Sequence, residues 1–429
     1  MTRSDKGNHQ NMKHFLKQGV IWLAAMLLCA ILPLVFSSGF ALSMLSQMGI
    51  SIIFALSYNM LLGQGGMLSF GHAVYYGLGG FLTMHAINMV GAGELPLPLE
   101  LVPLVGGVGG VVAGLFFGWL STDRAGTTFA LISLGIGELI AASALMLPGF
   151  FGGEEGVSTD RMVGHTLTGF GFGRQIEVFY LIAAWLLICA ALMYLQTKTP
   201  LGRVANAVRD NPQRAAFIGY NARWVRTLQL TLAAFFAGIA GGLFAINYEI
   251  ITAETIGAIP SGNVLMMTYI GGIGHFFGPV LGAILVTFMQ LSLAGITHAW
   301  QLYYGLLFVG MILWAPNGLA GIIMLHQPVW QAGLMKRLLP AYGLIALPSL
   351  VLFSGAMALI EINYHLSLSI NPDEPLSLFG ISFRAQSPIA WLVTAVLIIV
   401  GFYFFRKARS VVRRSWNEVT QMMKERAIL

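Results

Sequence analysis

Long apolar stretches separated by short polar segments recur along the whole chain. Several approach the ~20 residues that a helix needs to cross a bilayer, and we predict an all-α polytopic integral membrane protein with about 10–12 membrane segments. The eighth candidate is too short to cross alone. The candidates are residues 20–36, 40–62, 66–90, 99–120, 126–148, 178–196, 227–247, 262–275, 278–297, 301–324, 338–361 and 387–405.

Glycine-rich runs interrupt two of these regions, at Gly63–Gly66 and Gly271–Gly274. They lie in opposite halves of the chain, which is typical of broken helices around a path through the membrane. Small residues also recur at helical spacing, as at Gly126, Ala130 and Ser133, and predict close helix packing. We therefore expect Gly-rich, partly re-entrant or broken helices.

Basic residues concentrate on one side of the predicted segments. If the N-terminus is cytoplasmic and the segments alternate, only Arg161, Arg174 and Arg384 of the 23 Lys and Arg residues fall outside. This bias follows the positive-inside rule and predicts cytoplasmic N- and C-termini. Topology and membrane lipid headgroups therefore account for the net charge of +6, and nucleic acid is not needed as a partner.

Composition agrees with the bilayer as the solvent, since 57% of the residues are hydrophobic and only 9% are charged. The first apolar run exceeds the ~7–15 residues of a signal-peptide core, so we predict an uncleaved membrane helix after a cytoplasmic tail of residues 1–19. Cys29 and Cys189 both lie in apolar segments and indicate neither a disulfide framework nor a metal site.

Polar side chains inside apolar segments are the candidates for a translocation path. Glu138 is the acid placed deepest in a segment, and an ionisable group there faces the bundle interior, pairs with another group or lines a path. A protonated or hydrogen-bonded structural role is the alternative for Glu138. A second polar group clusters where the second and third segments meet, and its members are Asn59, Gln64, Ser69 and His72. For the histidine alone, a satisfied buried side chain is the commoner arrangement.

The most informative polar stretch is the coupling segment, residues 198–226, on the basic side. Its pattern predicts a helix at Val204–Asp210, a break at Pro212, a second helix at Gln213–Ile218 and a stop at Gly219. We expect a mixed-charge, helix-forming segment of this kind to dock onto another protein rather than only to connect two spans.

Motifs for nucleotide binding and catalysis are missing from the sequence. No lysine follows a glycine, so the chain has no G-x-x-x-x-G-K-[ST] phosphate loop, and ATP that drives it is bound by another subunit. H-E-x-x-H, G-x-S-x-G and spaced Cys/His sets are also missing. We predict no enzyme, no catalytic residues, and no metal or cofactor in this chain.

Six ordered blocks resemble the LivM-type permeases of the high-affinity branched-chain amino acid importers, within the ATP-binding-cassette superfamily. They are NMLLGQGGMLSFGHAVYYGLGGF (59–81), FALISLGIGEL (129–139), PLGRVANAVRDNPQRAAFIGYN (200–221), LAAFFAGIAGGLFA (232–245), YIGGIGHFFGPVLGAIL (269–285) and APNGLAG (315–321).

The resemblance implies an import permease of the bacterial inner membrane. It implies a second related permease, two cytoplasmic ATPase subunits and a periplasmic solute-binding protein as partners. It also assigns ATPase coupling to Arg203, Arg209, Asp210, Asn211 and Gly219. The family has an aromatic residue where Thr128 stands, which adds Thr128 to the predicted path. Branched-chain amino acids are the favoured solute, with urea, short amides and aromatic acids as alternatives.

Residues 20–325 form the predicted permease core, and residues 326–429 lie outside the resemblance. This extension adds two predicted membrane helices around an external loop, Glu361–Gln386, and a basic amphipathic tail. One face of the tail carries Val412, Trp416, Val419 and Met423. We interpret the tail as a membrane-surface helix, with a contact to an ATPase or to the partner permease as the alternative.

Two rival functions are an ion-coupled secondary transporter and a membrane-embedded enzyme. Ion coupling usually needs more intramembrane carboxylates than Glu138, and such a carrier needs no docking segment. A membrane enzyme would need paired acids, a metal set or a nucleophile with its base, none of which the sequence offers.

Overall fold

The fold is built almost entirely from α-helices. The structure is a computed structural model of the chain. It describes residues 3–164, 166–368, 374–378 and 380–428. The helices are α1 (Arg3–Val35), α2 (Gly39–Asn59), α3 (Ala73–Gly91), α4 (Pro103–Ser121), α5 (Thr127–Met146), α6 (Pro148–Phe151), α7 (Gln175–Lys198), α8 (Pro200–Asp210), α9 (Pro212–Phe217), α10 (Ala222–Tyr248), α11 (Ala258–Gly271), α12 (Gly278–Phe288), α13 (Trp300–Trp314), α14 (Gly318–Gln331), α15 (Met335–Leu368) and α16 (Pro388–Ile428).

The strands in the described part of the chain are short and form two antiparallel pairs. One joins β1 (Val157–Ser158) to β2 (Ile250–Ile251), and the other joins β3 (Leu376–Leu378) to β4 (Ile381–Phe383). The prediction of an all-α polytopic membrane protein is therefore confirmed.

Seven helices in the described part of the chain are long and apolar enough to cross a membrane, or eight if the bent pair α13 and α14 is one span. This is fewer than the predicted 10–12 segments, because several predicted segments form apolar helical stretches of fewer than 18 residues. They include residues 19–35 at the end of α1 and residues 278–293, which begin with α12. Helix α11 has 14 residues, or about 21 Å, against a hydrocarbon core of ~30 Å.

Both glycine-rich interruptions break helices, as predicted. Helix α2 runs into the π-turn, Met60–Gln64, after which the chain is irregular until α3 begins at Ala73. The predicted third segment therefore starts too early, since residues 66–72 are not helical. The second break separates α11 from α12, where Gly272 has a φ of +110° that favours glycine.

Glycines bring three helices into close contact in the core. Helix α10 is the most buried of the long apolar helices, since 83% of its most apolar 18-residue stretch is buried. A Cβ added at Gly106 of α4 would lie 2.7 Å from the carbonyl oxygen of Gly79 in α3 and 2.6 Å from that of Gly238 in α10. Helices in lipid associate through such close backbone approach.

The chain divides into two compact units, residues 1–292 with 307–320, and residues 293–306 with 321–429. In the second unit, α15 packs along α16. Buried Glu361 accepts hydrogen bonds from the hydroxyls of Thr297 at 2.7 Å and Tyr303 at 2.8 Å. Helix α15 continues to Leu368, so the predicted external loop does not begin at Glu361.

The basic tail is the end of α16 and not a separate surface helix. Its apolar face packs on the second unit itself, where Val419 is buried against Val329, Leu334 and Leu338. Trp416 donates to the hydroxyl of Tyr342 at 2.9 Å. This apolar face is covered by protein, which corrects the interpretation of the tail as a helix lying on the membrane.

Candidate functional site

The junction segment, residues 65–72, is irregular backbone inside the first unit. Irregular backbone at membrane depth needs partners for its polar groups, since lipid offers none. Here side chains from three other elements provide them. Tyr58 donates to the carbonyl of Ser69 at 2.9 Å, the Ser133 hydroxyl accepts from the amide of Phe70 at 3.0 Å, and Ser261 accepts from that of Ala73 at 3.1 Å.

His72, at the end of the junction segment, lies in a closed aromatic cage. Its ring stacks on Phe54 with centroids 5.5 Å apart and meets Tyr58 and Tyr75 edge-on. Nε2 lies 3.0 Å from the hydroxyl of Ser57. The side chain is fully buried, so His72 positions the junction and is not open to solute in this conformation.

A buried chain of amide side chains holds the π-turn, and its central residue, Gln229, was not among the predicted site residues. The Gln229 side chain donates to the Met60 carbonyl at 2.8 Å and to Gln64 Oε1 at 3.3 Å. It accepts from Gln196 at 2.9 Å. The signal available in the sequence was a glutamine in each of two otherwise apolar spans. Asn59, predicted for the same site, is buried beside Gly63.

Arg209 attaches the coupling segment to the π-turn. Its guanidinium donates to the carbonyl of Gly63, and its aliphatic part occupies the space where Gly66 lacks a side chain. The π-turn frees that carbonyl, because the amide of Met67 bonds to Leu61 instead, at 3.1 Å. Arg209 therefore joins α8 to the turn that ends α2.

Capping side chains make the coupling segment a defined structure. Thr199 begins α8 by accepting from the amide of Gly202 at 3.3 Å, and Asn211 begins α9 by accepting from that of Arg214 at 2.9 Å. Beneath them lies a small core of Ala205, Val208, Ala215 and Val225. The helices fall at 200–210 and 212–217. The second is within one residue of its predicted bounds, whereas the first begins four residues before the predicted start at Val204.

The predicted coupling residues have different surroundings. Arg203 is exposed on α8. Arg209 forms an ion pair with Asp210 at 2.9 Å. Asn211 is the α9 cap described above, and Gly219 turns the chain with a φ of +93°.

An exposed apolar tip, formed by Phe217, Ile218 and Tyr220, surrounds this turn. Phe217 is 89% exposed. Large apolar side chains grouped on a surface mark sites of protein association. No local sequence pattern marks these residues, because their exposure depends on how α9 packs on α8.

Thr128 and Glu138 are separated from the polar residues predicted around the junction segment. Both lie on the exposed face of α5, while its buried face carries Ser133 and Gly137 against the junction segment. The structure thus buries Asn59, Gln64, Ser69 and His72 in the interior. Of the alternatives for Glu138, a position facing the interior of this chain does not occur, because the side chain is exposed. Its place on a translocation path stays a prediction. Among the described residues, no cluster of three His, Cys, Asp or Glu side chains could hold a metal ion.

Comparison with protein families matches residues 40–316 to the branched-chain amino acid transport system / permease component family. The chain belongs to this family. The match covers the region from α2 to α13, which contains the junction and coupling segments, and it confirms the resemblance to LivM-type permeases.

Curated relatives carry the same kind of name. The chain is 26% identical over 327 residues to the high-affinity branched-chain amino acid transport system permease protein LivM of Escherichia coli K12, covering 71% of this chain and 75% of the relative. It is 23% identical to LivH of the same organism, covering 63% and 90%. It is 27% identical to the galactose/methyl galactoside import permease MglC of Salmonella typhimurium LT2, covering 68% and 92%. No solved structure matches the chain significantly.

Proposed function

We propose that this chain is a transmembrane permease subunit of an ATP-driven importer of amino acids, with branched-chain amino acids as the favoured solute. The observation that carries the proposal is the coupling segment. This segment has two capped helices and an exposed apolar tip, and Arg209 bonds to the turn at the end of α2. The family match and the names of the relatives LivM and LivH support the solute class.

In this proposal the chain works with a second related permease, two ATPase subunits and a solute-binding protein. The ATPase subunits bind ATP at the cytoplasmic side of the inner membrane. The bias of the basic residues supports the same side for the coupling segment and both termini. Phe217 and Ile218 insert into a groove of the ATPase, and Arg203, Asp210 and Asn211 border that contact. The permease performs no covalent chemistry and holds no cofactor.

Closure of the ATPase pair then displaces α8 and α9 together, because the small core joins them. Arg209 passes the displacement to the π-turn, and the amide chain passes it to α7 and α10. The junction segment moves with the π-turn, and α5 follows through the bond between Ser133 and Phe70. This route joins the coupling residues to Thr128 and Glu138 on the proposed path.

Co-purification with candidate ATPase subunits and ATP hydrolysis by the reconstituted complex test the proposal. Phe217→Asp places a charge in the apolar contact, and we expect binding to weaken about 30-fold, as for the loss of a central interface residue. Ile259→Asp is the matched control, since Ile259 is 80% exposed but lies on α11, away from the coupling segment. It keeps ATPase binding.

Arg209→Ala separates docking from transmission. We expect ATPase subunits still to bind this variant through the tip, while uptake of a branched-chain amino acid falls at unchanged ATP hydrolysis. If the wild-type chain binds no ATPase subunit, or if Phe217→Asp leaves the ATPase affinity unchanged, the importer proposal is wrong. An ion-coupled carrier then becomes the better explanation. Uptake of urea, short amides or aromatic acids in place of branched-chain amino acids would contradict the proposed solute but not the importer function.

A further inference from the structure

Helix α5 exposes a carboxylate near the middle of a membrane span. Glu138 is the twelfth of the 20 residues of α5, about 17 Å along a helix of ~30 Å. It is exposed, and no hydrogen bond or ion pair reaches it from the described part of the chain. Only 28% of the most apolar window of α5 is buried, the lowest value among the spans of the first unit.

The exposed face of α5 differs from that of α4, which has the composition of a lipid-facing surface. Every exposed position of α4 carries a large apolar side chain, namely Leu104, Val108, Val112, Leu115, Phe116, Trp119 and Leu120. Exposed positions of α5 at helical spacing instead combine polar and small residues with leucine, in the order Thr128, Leu131, Gly135, Glu138 and Ala142.

A carboxylate on this face does not point into lipid, because an ionised group at the bilayer centre is strongly unfavourable there. The face therefore meets water or another protein. Nothing lies within 4 Å of a Cβ built on Gly135, so the backbone one turn from Glu138 is also open to a small molecule. Leu131 and Leu139 are exposed beside them and provide apolar surface.

We propose that Glu138 binds the primary ammonium group of the transported solute in a water-filled path lined by α5. This inference rests on the proposed importer function and adds the chemical group that the path recognises. Helix α5 contains no Lys, Arg or His, so its charge is complementary to the cationic end of a zwitterion and not to its carboxylate. The leucines suit an apolar side chain on the same solute.

The same helix connects this site to the junction segment. Ser133 and Gly137 lie on the opposite face of α5, where the Ser133 hydroxyl accepts from the Phe70 amide and a Cβ at Gly137 would lie 3.3 Å from the Cα of Gly71. A change in the junction therefore shifts the Glu138 carboxylate, which lets the site release its ligand as the path reopens.

Thiol accessibility tests whether the face is wet. In a background of Cys29→Ala and Cys189→Ala, which removes both native cysteines, we would compare Glu138→Cys with Val112→Cys on α4. The assembled complex is treated with a positively charged, membrane-impermeant methanethiosulfonate during ATP turnover. We expect Glu138→Cys to react at least about tenfold faster, since water is needed to form the thiolate. Equal, slow reaction at both positions overturns the proposal and indicates cover by a partner subunit.

Uptake of an apolar amino acid tests the charge. Glu138→Gln keeps the shape and removes the charge, and we expect uptake to fall about 10- to 100-fold, the value of a charge-assisted hydrogen bond. Glu138→Asp retains most of the uptake. Wild-type uptake by Glu138→Gln overturns the inference while leaving the importer function intact. Failure of the wild-type complex to import any amino acid contradicts the proposed function itself.

Discussion

Replacement of Gln229 by leucine removes the centre of the buried amide chain while keeping a side chain of similar volume. Three hydrogen bonds are lost, to Gln196, to Gln64 and to the Met60 carbonyl. Side-chain hydrogen bonds between membrane helices contribute about 0.6 kcal/mol each and at most ~1.7 kcal/mol. The sum is about 2 kcal/mol, and the buried donor left on Gln196 adds to it.

The free energy of unfolding of the purified protein, measured by titration with sodium dodecyl sulfate and followed by far-ultraviolet circular dichroism, checks this value. Gln196→Leu removes one of the three bonds and should cost about a third as much. The double variant should show a coupling energy near one hydrogen bond, because the two residues share it.

Thr231→Val is the control for a polar deletion in the same helix. Thr231 bonds only to the carbonyl of Thr227, one turn away in α10, at 2.8 Å, and its loss should cost less than about 0.5 kcal/mol. An unfolding free energy of Gln229→Leu within about 0.3 kcal/mol of wild type would refute the assignment of the amide chain as a hub.

Three further variants probe other contacts. Gly241→Ala forces a methyl group onto the Tyr76 carbonyl and should lower the unfolding free energy by about 1–3 kcal/mol, whereas Gly343→Ala, in open space, should not lower it. Arg161→Met loses hydrogen bonds to the carbonyls of Phe172 at 2.8 Å and Asn247 at 3.0 Å. Amide hydrogen exchange of residues 159–174 should therefore accelerate at least about tenfold. The control Arg174→Met changes an exposed arginine and should not accelerate it. Val419→Asp buries a charge in the core of the second unit and should expose the end of α16 to cleavage by trypsin. Asn417→Asp adds the same charge on the exposed side of the helix and should not. Equal cleavage of both variants would contradict the packing of the tail.

Local sequence signals predicted the two helices of the coupling segment and the break between them, although the predicted start of the first helix was four residues late. Thr199, Asn211 and Asn221 each precede a helix as a cap, and Pro212 separates α8 from α9. Helix caps act within one turn, so they can be recognised without knowledge of the fold. The exposure of Phe217 was not predictable in this way, since it depends on which side of α9 packs on α8.

The polar interior shows the opposite case. Gln64 and Gln229 are 165 positions apart and Ser133 and Phe70 are 63 apart, so no local pattern links them. Glu361 and Glu138 are both acids within long apolar helices, yet one is buried under two hydroxyl groups and the other is exposed. Hydropathy alone cannot separate them, because it does not specify the rotation of a helix about its axis.

The sequence by itself determined that this protein lies in a membrane, that its helices are broken at two glycine-rich runs, and that a helical segment between two spans is available for docking. These features follow from the transfer of apolar side chains to lipid, from glycine geometry and from helix caps, all of which act over short stretches. The tertiary structure alone decided which polar groups meet in the junction segment, which face of α5 is open, and that the apolar face of the tail is covered. Those outcomes depend on contacts between distant residues, and many arrangements of the same helices satisfy the same hydropathy pattern.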